Sequence, residues 1–238
     1  MPRFDSHPGD GGTSRVRCIF VLASCLLTCG AAHGQAGSAA PGQEWPTYGY
    51  DPGGLRYSPL KQINRTNVQQ LQRAWTYQVP AFKGGGVAAF ENTPLMVGDV
   101  LYLAVPTGQA IAIDAETGKQ LWLFDPLRGV SVPPNPVPNR GVAYWNGNAS
   151  PRSGAQQNHP ESRIFYVSSN ARLYALNSST GKPCKDFGND GSIDLRKGVA
   201  TKWPNLKYDD TSPPVIYKDV VIVGSELQEF PSIGPSGA

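Results

Sequence analysis

The stretch Ala110-Ile-Ala-Ile-Asp-Ala-Glu-Thr-Gly-Lys-Gln-Leu-Trp122 carries the clearest structural pattern in this chain. Its two isoleucines alternate with small residues, a period of two that is typical of a β-strand with both isoleucines on one face. The Asp and Thr side chains that follow can bond the backbone of a turn, and Gly118 adopts a positive φ at low cost. The pattern therefore predicts a strand, a tight turn and a second strand, in which Trp122 is large enough to pack between neighbouring sheets.

A second stretch, Tyr174-Ala-Leu-Asn-Ser-Ser-Thr-Gly-Lys182, repeats Ala, Asn, Thr, Gly and Lys in the same spacing. Lys185 stands in the place of the tryptophan, so this copy is degenerate. A strand-like run precedes each copy, at Val100 to Val105 and at Ile164 to Val167. One copy alone fits an ordinary antiparallel hairpin equally well. Repetition of a four-strand unit favours a β-propeller, whose blades bury their faces against one another.

Composition and charge agree with an all-β protein that does not bind nucleic acid. The 238 residues include 27 Gly and 22 Pro, and only 16% are charged, which is typical of short strands joined by turns. The formal net charge of +3 is small and scattered along the chain. We therefore expect no nucleic-acid partner.

The N-terminal region predicts export. Arg15 and Arg17 precede an apolar run, Cys18 to Ala32, that is too short for a spanning helix and fits a secretory signal peptide. The segment Leu22-Ala-Ser-Cys25 also resembles a bacterial lipobox, which would leave Cys25 lipidated and the protein associated with a membrane. Because the apolar run before it is short, we favour a periplasmic protein without the lipid anchor.

These features divide the chain into three parts. Residues 1–36 are predicted to be the signal peptide, residues 37–44 a linker of small residues, and residues 45–238 the propeller region. Three of the four cysteines fall in the first part, so Cys184 has no internal disulfide partner and is predicted to be a partly buried small hydrophobe. Within the third part, residues 74–79 are predicted to form the first strand, and Val215 to Val223 a hairpin that turns at Lys218-Asp219.

Several separate motifs, in order, resemble one family. From Trp45 onward, Trp-Pro-x-Tyr-Gly, Arg-Tyr-Ser-Pro-Leu and Gln-Ile-Asn are similar to the opening of the pyrroloquinoline-quinone (PQQ) dehydrogenases. The stretch that ends at Trp122 resembles the tryptophan-docking motif of these quinoproteins, in which each Trp joins one blade to the next. Three later motifs are similar to the glucose, quinate and shikimate branch: Leu173-Tyr-Ala-Leu-Asn177, Gly181-Lys-Pro-Cys184 and Phe187-Gly-x-x-Gly191.

This resemblance implies an eight-bladed quinoprotein β-propeller of which this chain holds roughly the first third. It also implies an enzyme, a PQQ-dependent dehydrogenase that oxidises the CH–OH group of a sugar, polyol or alcohol and passes electrons to a quinone or cytochrome c. The family's catalytic Asp lies further downstream, so no catalytic residue is assigned here. We expect the 238-residue chain alone to be inactive and poorly soluble, because open blade edges invite aggregation.

Two other functional classes remain open. A non-catalytic propeller of the outer-membrane assembly or scaffold type would share the docking motif and the export signal, but would have no use for cofactor-binding residues. An exported sugar-binding module would need aromatic side chains in a cleft, for which only Tyr144-Trp145 and Trp203 are candidates.

PQQ is a flat ortho-quinone with three carboxylates, so its pocket needs cations or hydroxyls, and a divalent ion to polarise the reactive carbonyl. The resemblance places Glu91, in Glu-x-x-Pro-Leu, against the quinone. It places Arg140, in Arg-Gly-x-x-Tyr, against a carboxylate, which a guanidinium can hold bidentately. A solvated loop carboxylate and a surface arginine are the alternatives.

The third site stretch begins at Thr211, which the resemblance assigns to a PQQ carboxylate. In Gly-Ser-x-x-x-Glu, Ser225 maps to a cofactor contact and Glu229 to a ligand of Ca²⁺ (or Mg²⁺), which prefers oxygen ligands. Asp209 and Asp210 precede Thr211 and are interpreted as turn residues.

The chain also departs from the family over the quinone ring. Pro134 and Asn135 stand where the alcohol-oxidising branches carry a Cys-Cys pair, and Pro136 stands where the glucose branch often has a His. The cover of the quinone, and with it the choice of substrate, is therefore not defined by this loop.

Overall fold

The computed structural model describes residues 44–80, 89–129, 138–147, 161–199, 208 and 210–225. These residues contain one 3-10 turn, Val68–Gln70, and ten strands that form two four-stranded sheets and a two-stranded hairpin. The strands are β1 (Leu95–Val97), β2 (Val100–Ala104), β3 (Ala110–Asp114), β4 (Gln120–Phe124), β5 (Ala143–Trp145), β6 (Arg163–Ser168), β7 (Arg172–Asn177), β8 (Ser192–Asp194), β9 (Val215–Tyr217) and β10 (Val220–Ile222). The all-β prediction is confirmed for the described part of the chain.

Each four-stranded sheet is an antiparallel meander, β1-β2-β3-β4 followed by β5-β6-β7-β8. The predicted turns occur at equivalent places in both. In the first, the Asp114 carboxylate accepts hydrogen bonds from the Thr117 N–H (2.7 Å) and hydroxyl (2.6 Å). In the second, the Asn177 side-chain oxygen accepts the same pair from Thr180, at 2.9 and 3.0 Å. The two sheets are therefore two copies of one blade.

Trp122 joins the two blades, as its motif predicts. Its indole N–H donates to the carbonyl of Ser178 at 2.8 Å, and its ring lies on Gly181 so closely that an added Cβ would sit 2.6 Å from it. Trp75 makes the equivalent contact one blade earlier, with its N–H on the Ala115 carbonyl at 3.0 Å and its ring over Gly118. Sequence reasoning did not predict this second docking tryptophan, because the residues around it lack the turn motif.

Three hydrophobic clusters pack against the faces of the two blades. One lies between the blades and is built around Trp122 and Tyr166. The second covers the other face of the first blade, where Ile111 and Ile113 pack. The third covers the other face of the second blade, against side chains of the β9–β10 hairpin and buried Cys184. Burial of this thiol, predicted from the sequence, raises its pKa.

The prediction of a first strand at residues 74–79 is wrong. The alternation is real, since Trp75, Tyr77 and Val79 all pack against the face of the first blade that carries Ile111 and Ile113. The segment lies over that face, however, and does not join the hydrogen-bonded ladder of the sheet. The predicted hairpin is confirmed, with Lys218 at φ 54° in its turn.

Candidate functional site

Three backbone segments that lead into strands meet around Arg140. The Arg140 N–H donates to the carbonyl of Thr211 at 3.0 Å, and its own carbonyl accepts from the Thr93 N–H at 3.0 Å. Glu91 precedes Thr93 by two residues, so the chain segments that carry Glu91, Arg140 and Thr211 run side by side. These three residues were each predicted separately to bind the cofactor, and the fold brings them together.

The side chains of these residues form a connected group. The Arg140 guanidinium forms an ion pair with Glu91, with 3.1 Å between Nε and Oε2, and donates from Nη1 to the Thr211 hydroxyl at 2.7 Å. Both charged side chains are 42% exposed. A guanidinium carries five N–H donors and these contacts use two of them. The group therefore presents a held but solvent-accessible cation beside a hydroxyl, which is what a carboxylate ligand requires.

Asn92 adds an unusual feature next to this group. Both polar atoms of its side chain are buried and have no hydrogen-bond partner among the described residues. A buried amide without a partner costs free energy, and native proteins avoid it except where a ligand, a water or a functional constraint is involved. The exposed Arg140 guanidinium and the Thr211 hydroxyl fit an anionic, polar cofactor, and the buried Asn92 amide adds polar atoms without a described partner one residue from Glu91.

Ser225 does not belong to the Glu91–Arg140–Thr211 group, but it lies close to the turn that carries Thr211. Its hydroxyl bonds the Tyr208 side chain, whose pKa is raised by burial and partly lowered again by this contact. An added Cβ at Gly224 would lie 4.0 Å from Oδ1 of Asp210, which places Gly224 and Ser225 close to the turn that carries Thr211. The structure gives Ser225 no direct contact with Arg140, so its role as a cofactor contact stays a prediction.

Asp210 is a turn residue, as predicted, but it is also buried. Its Oδ1 accepts a hydrogen bond from the Ser212 N–H at 3.0 Å, and the residue is only 8% exposed. Burial raises the pKa of this carboxyl to about 6, against which the Ser212 bond acts weakly. Sequence reasoning missed this burial, because an acidic residue before a strand gives the same local signal whether it is solvated or covered.

Several predicted residues lie outside the described residues. They are Glu229, Asp209, the Pro134 to Pro136 loop and the signal region with Cys25. In the part of the chain that is described, no group of three or more His, Cys, Asp or Glu side chains could hold a metal ion. That part also contains no helix long and apolar enough to cross a membrane. The metal-ligand prediction for Glu229 stays a prediction.

Comparisons with known proteins identify the family to which this chain belongs. The model of the PQQ family described as glucose/ethanol/alcohol dehydrogenase, β-propeller domain, matches residues 45–238. The chain is 36% identical over 215 residues to the quinoprotein glucose dehydrogenase of Escherichia coli (strain K12), covering 89% of this chain and 27% of that protein. It is 34% identical over 198 residues to the quinate/shikimate dehydrogenase (quinone) of Acinetobacter baylyi, covering 78% and 24% of the two chains.

Among solved structures, the quinohemoprotein alcohol dehydrogenase from Comamonas testosteroni is similar, with a TM-score of 0.56 and 27% identity. The match covers 80% of this chain and 24% of that one. The chain thus spans about a quarter of the length of the relatives it matches. The repeated four-stranded blades, the docking tryptophans and the family match over residues 45–238 together show that this chain belongs to the PQQ β-propeller family of glucose, ethanol and alcohol dehydrogenases.

Proposed function

We propose that this chain supplies part of the PQQ site of a dehydrogenase that oxidises the CH–OH group of a sugar, polyol or alcohol. The observation that carries the proposal is the group formed by Glu91, Arg140 and Thr211. All three stand in family motifs, and the fold joins them although Arg140 and Thr211 are 71 residues apart in sequence. A non-catalytic scaffold would gain nothing from such a group, and no contact described here favours that alternative.

Each residue of the group has a distinct task in holding the cofactor. Arg140 would bind a carboxylate of PQQ through the N–H donors that Glu91 and Thr211 leave free. Thr211 accepts from Arg140 through its oxygen, so its own hydroxyl proton can be donated to the same carboxylate. Glu91 holds the guanidinium by its Nε and would contact the quinone. When bound, PQQ supplies the redox chemistry, and the protein supplies its position and electrostatic surroundings.

The finer parts of the proposal rest on motif positions. Ser225 is proposed as a further cofactor contact and Glu229 as a ligand of Ca²⁺ or Mg²⁺, since both ions prefer carboxylate oxygens. The electrons would pass to a quinone or to cytochrome c of the respiratory chain. The relative from Acinetobacter baylyi carries the word quinone in its name, which supports the first of these acceptors.

We further propose that the protein works in the periplasm. The support is the apolar run between Cys18 and Ala32 after two arginines, which fits a signal peptide over residues 1–36. A lipid anchor at Cys25 is the less favoured alternative. Mass spectrometry of the protein isolated from its host would separate the two, because a lipidated product would begin at Cys25 and carry added acyl mass.

The proposal is tested by measuring the binding of PQQ to the full-length gene product in equilibrium dialysis. Replacing Arg140 by Ala should raise the Kd for PQQ about 10- to 100-fold, because a hydrogen-bonded charge contact contributes about 1.5–3 kcal/mol. Arg196→Ala is the matched control. Arg196 is also exposed and ion-paired, with Nε 3.2 Å from Asp194 Oδ1, but it lies beyond β8 and outside the site. A wild-type protein without PQQ affinity, or equal Kd values for both variants, would overturn the proposal.

A further inference from the structure

The residues immediately before Arg140 and Thr211 share a second location. In extended backbone, successive side chains point to opposite sides. Arg140 and Thr211 bond to each other on the side of the candidate site, whereas Asn139 and Asp210 both line a small cavity between the blades. Arg140 and Thr211, the proposed carboxylate-binding pair, are therefore each preceded by a buried polar residue.

The role of Asn139 is visible in its contacts. It is 8% exposed, its side-chain N–H donates to the Val167 carbonyl at 2.8 Å, and its side-chain oxygen accepts from the Gly141 N–H at 2.9 Å. The first bond ties Asn139 to the end of β6, and the second closes the backbone around Arg140 by joining Gly141 to the Asn139 side chain. The backbone that carries the guanidinium is thereby held in place.

Asp210 makes the corresponding contact for Thr211. Its Oδ1 accepts from the Ser212 N–H, so the bond spans Thr211 and closes the turn around it. The Thr211 carbonyl and hydroxyl then both meet Arg140, at 3.0 and 2.7 Å. Without the Asp210 acceptor, the turn that sets the direction of the Thr211 hydroxyl would lose its side-chain bond.

The second carboxylate oxygen of Asp210 shows that burial of this side chain is not optimised for stability. Oδ2 of Asp210 is buried and has no hydrogen-bond partner among the described residues. Burial is also the largest influence on the carboxyl pKa, and no cationic group among the described residues acts on it. A buried carboxylate that lacks a cation costs folding free energy, and such perturbed groups concentrate at functional sites.

We propose that Asp210 is a positioning residue for the Thr211–Arg140 pair, and that it acts by accepting the Ser212 N–H hydrogen bond. This inference rests on the PQQ binding proposed above. It assigns Asp210 no contact with the cofactor and no proton transfer. Its contribution is to hold the Thr211 hydroxyl where Arg140 and a bound carboxylate can both use it.

The test compares PQQ dissociation constants in the full-length protein. Asp210→Ala should raise the Kd about 10-fold, an effect within the range of lost hydrogen-bond positioning. Asp210→Asn should stay within about 2-fold of wild type, because the amide oxygen accepts the same N–H. In a Thr211→Val background, Asp210→Ala should add less than about 2-fold, since residues that act through one another are not additive.

A merely structural role would lower the melting temperature of Asp210→Ala without changing the PQQ Kd measured well below that temperature. If Asp210→Ala does not fold, Asp210→Ser replaces it, because serine offers a weaker acceptor to the same N–H. Its Kd is expected above that of wild type and of Asp210→Asn.

Three results would overturn the inference: an unchanged Kd in Asp210→Ala (or in Asp210→Ser where that replaces it), an equally weak Asp210→Asn, or full additivity with Thr211→Val. PQQ binding that is lost in Arg140→Ala but unchanged in Asp210→Ala would refute this inference alone. A wild-type protein that does not bind PQQ would refute the proposed function with it.

Discussion

Replacement of Gly181 by Ala tests whether tryptophan docking holds the blades together. Gly181 has a φ of +67°, and a Cβ built there would lie 2.6 Å from two ring carbons of Trp122. Ordinary Cβ contacts lie at 3.4–4 Å, so the indole would have to move by about 0.8 Å in a close-packed layer to reach that range. That movement also pulls the indole N–H from the Ser178 carbonyl, to which it donates at 2.8 Å.

The expected loss of stability has three parts. The left-handed backbone conformation costs Ala about 1–2 kcal/mol. Displacing the ring in a packed core costs about 1–3 kcal/mol. Weakening the indole hydrogen bond costs about 1 kcal/mol. Together they predict a loss of about 3–6 kcal/mol in the free energy of unfolding.

Gly98→Ala provides the matched control. Gly98 also lies in a turn between strands, with φ +56°, but no atom lies within 4 Å of a Cβ built there. This variant should therefore lose only the backbone part, about 1–2 kcal/mol. The difference between the two variants isolates the docking contact.

Urea denaturation followed by circular dichroism measures both variants against wild type. A third variant, Gly181→Ala combined with Trp122→Ala, should lose no more from the glycine change than Gly98→Ala does, because the ring is gone. If Gly181→Ala and Gly98→Ala were equally destabilised, the close contact with Trp122 would not be what holds this interface.

Two further predictions concern the docking tryptophans and the buried carboxyl of Asp210. Trp122→Phe keeps an aromatic ring but removes the donor to the Ser178 carbonyl, so the free energy of unfolding should fall by about 1 kcal/mol. Trp75→Phe should lose a similar amount, because its indole N–H donates to the Ala115 carbonyl in the same way. The second concerns pH. Because burial raises the Asp210 pKa from 3.8 to about 6, the folded state binds this proton more tightly than the unfolded state, and stability falls as pH rises between these values. The fall attributable to this group approaches about 3 kcal/mol at neutral pH, at about 1.4 kcal/mol per pKa unit. Asp210→Asn should remove this pH dependence, so the free energy of unfolding of the variant minus that of wild type, measured by denaturation, should be larger at pH 7.5 than at pH 4.5. An equal difference at the two pH values would contradict the raised pKa of Asp210.

Local sequence was sufficient for the blade. The alternation before Asp114, the Asp and Thr that bond the turn and the positive φ at Gly118 each have a cause within a few residues, and all appear as predicted. The segment at residues 74–79 shows where this reasoning fails. A period of two reports that one face is buried, but it does not distinguish a strand that pairs at a sheet edge from a segment that packs over a sheet face.

For the site, the sequence by itself determined which residue types stand in family motifs: Glu91, Arg140 and Thr211. Only the tertiary structure decided that they form one group, since hydrogen bonds across 71 residues depend on how the segments leading into the strands pack together. The same holds for Trp75 and Asp210. Whether a ring meets a glycine from another blade, or a carboxylate is covered, depends on residues distant in sequence, and no local pattern records it.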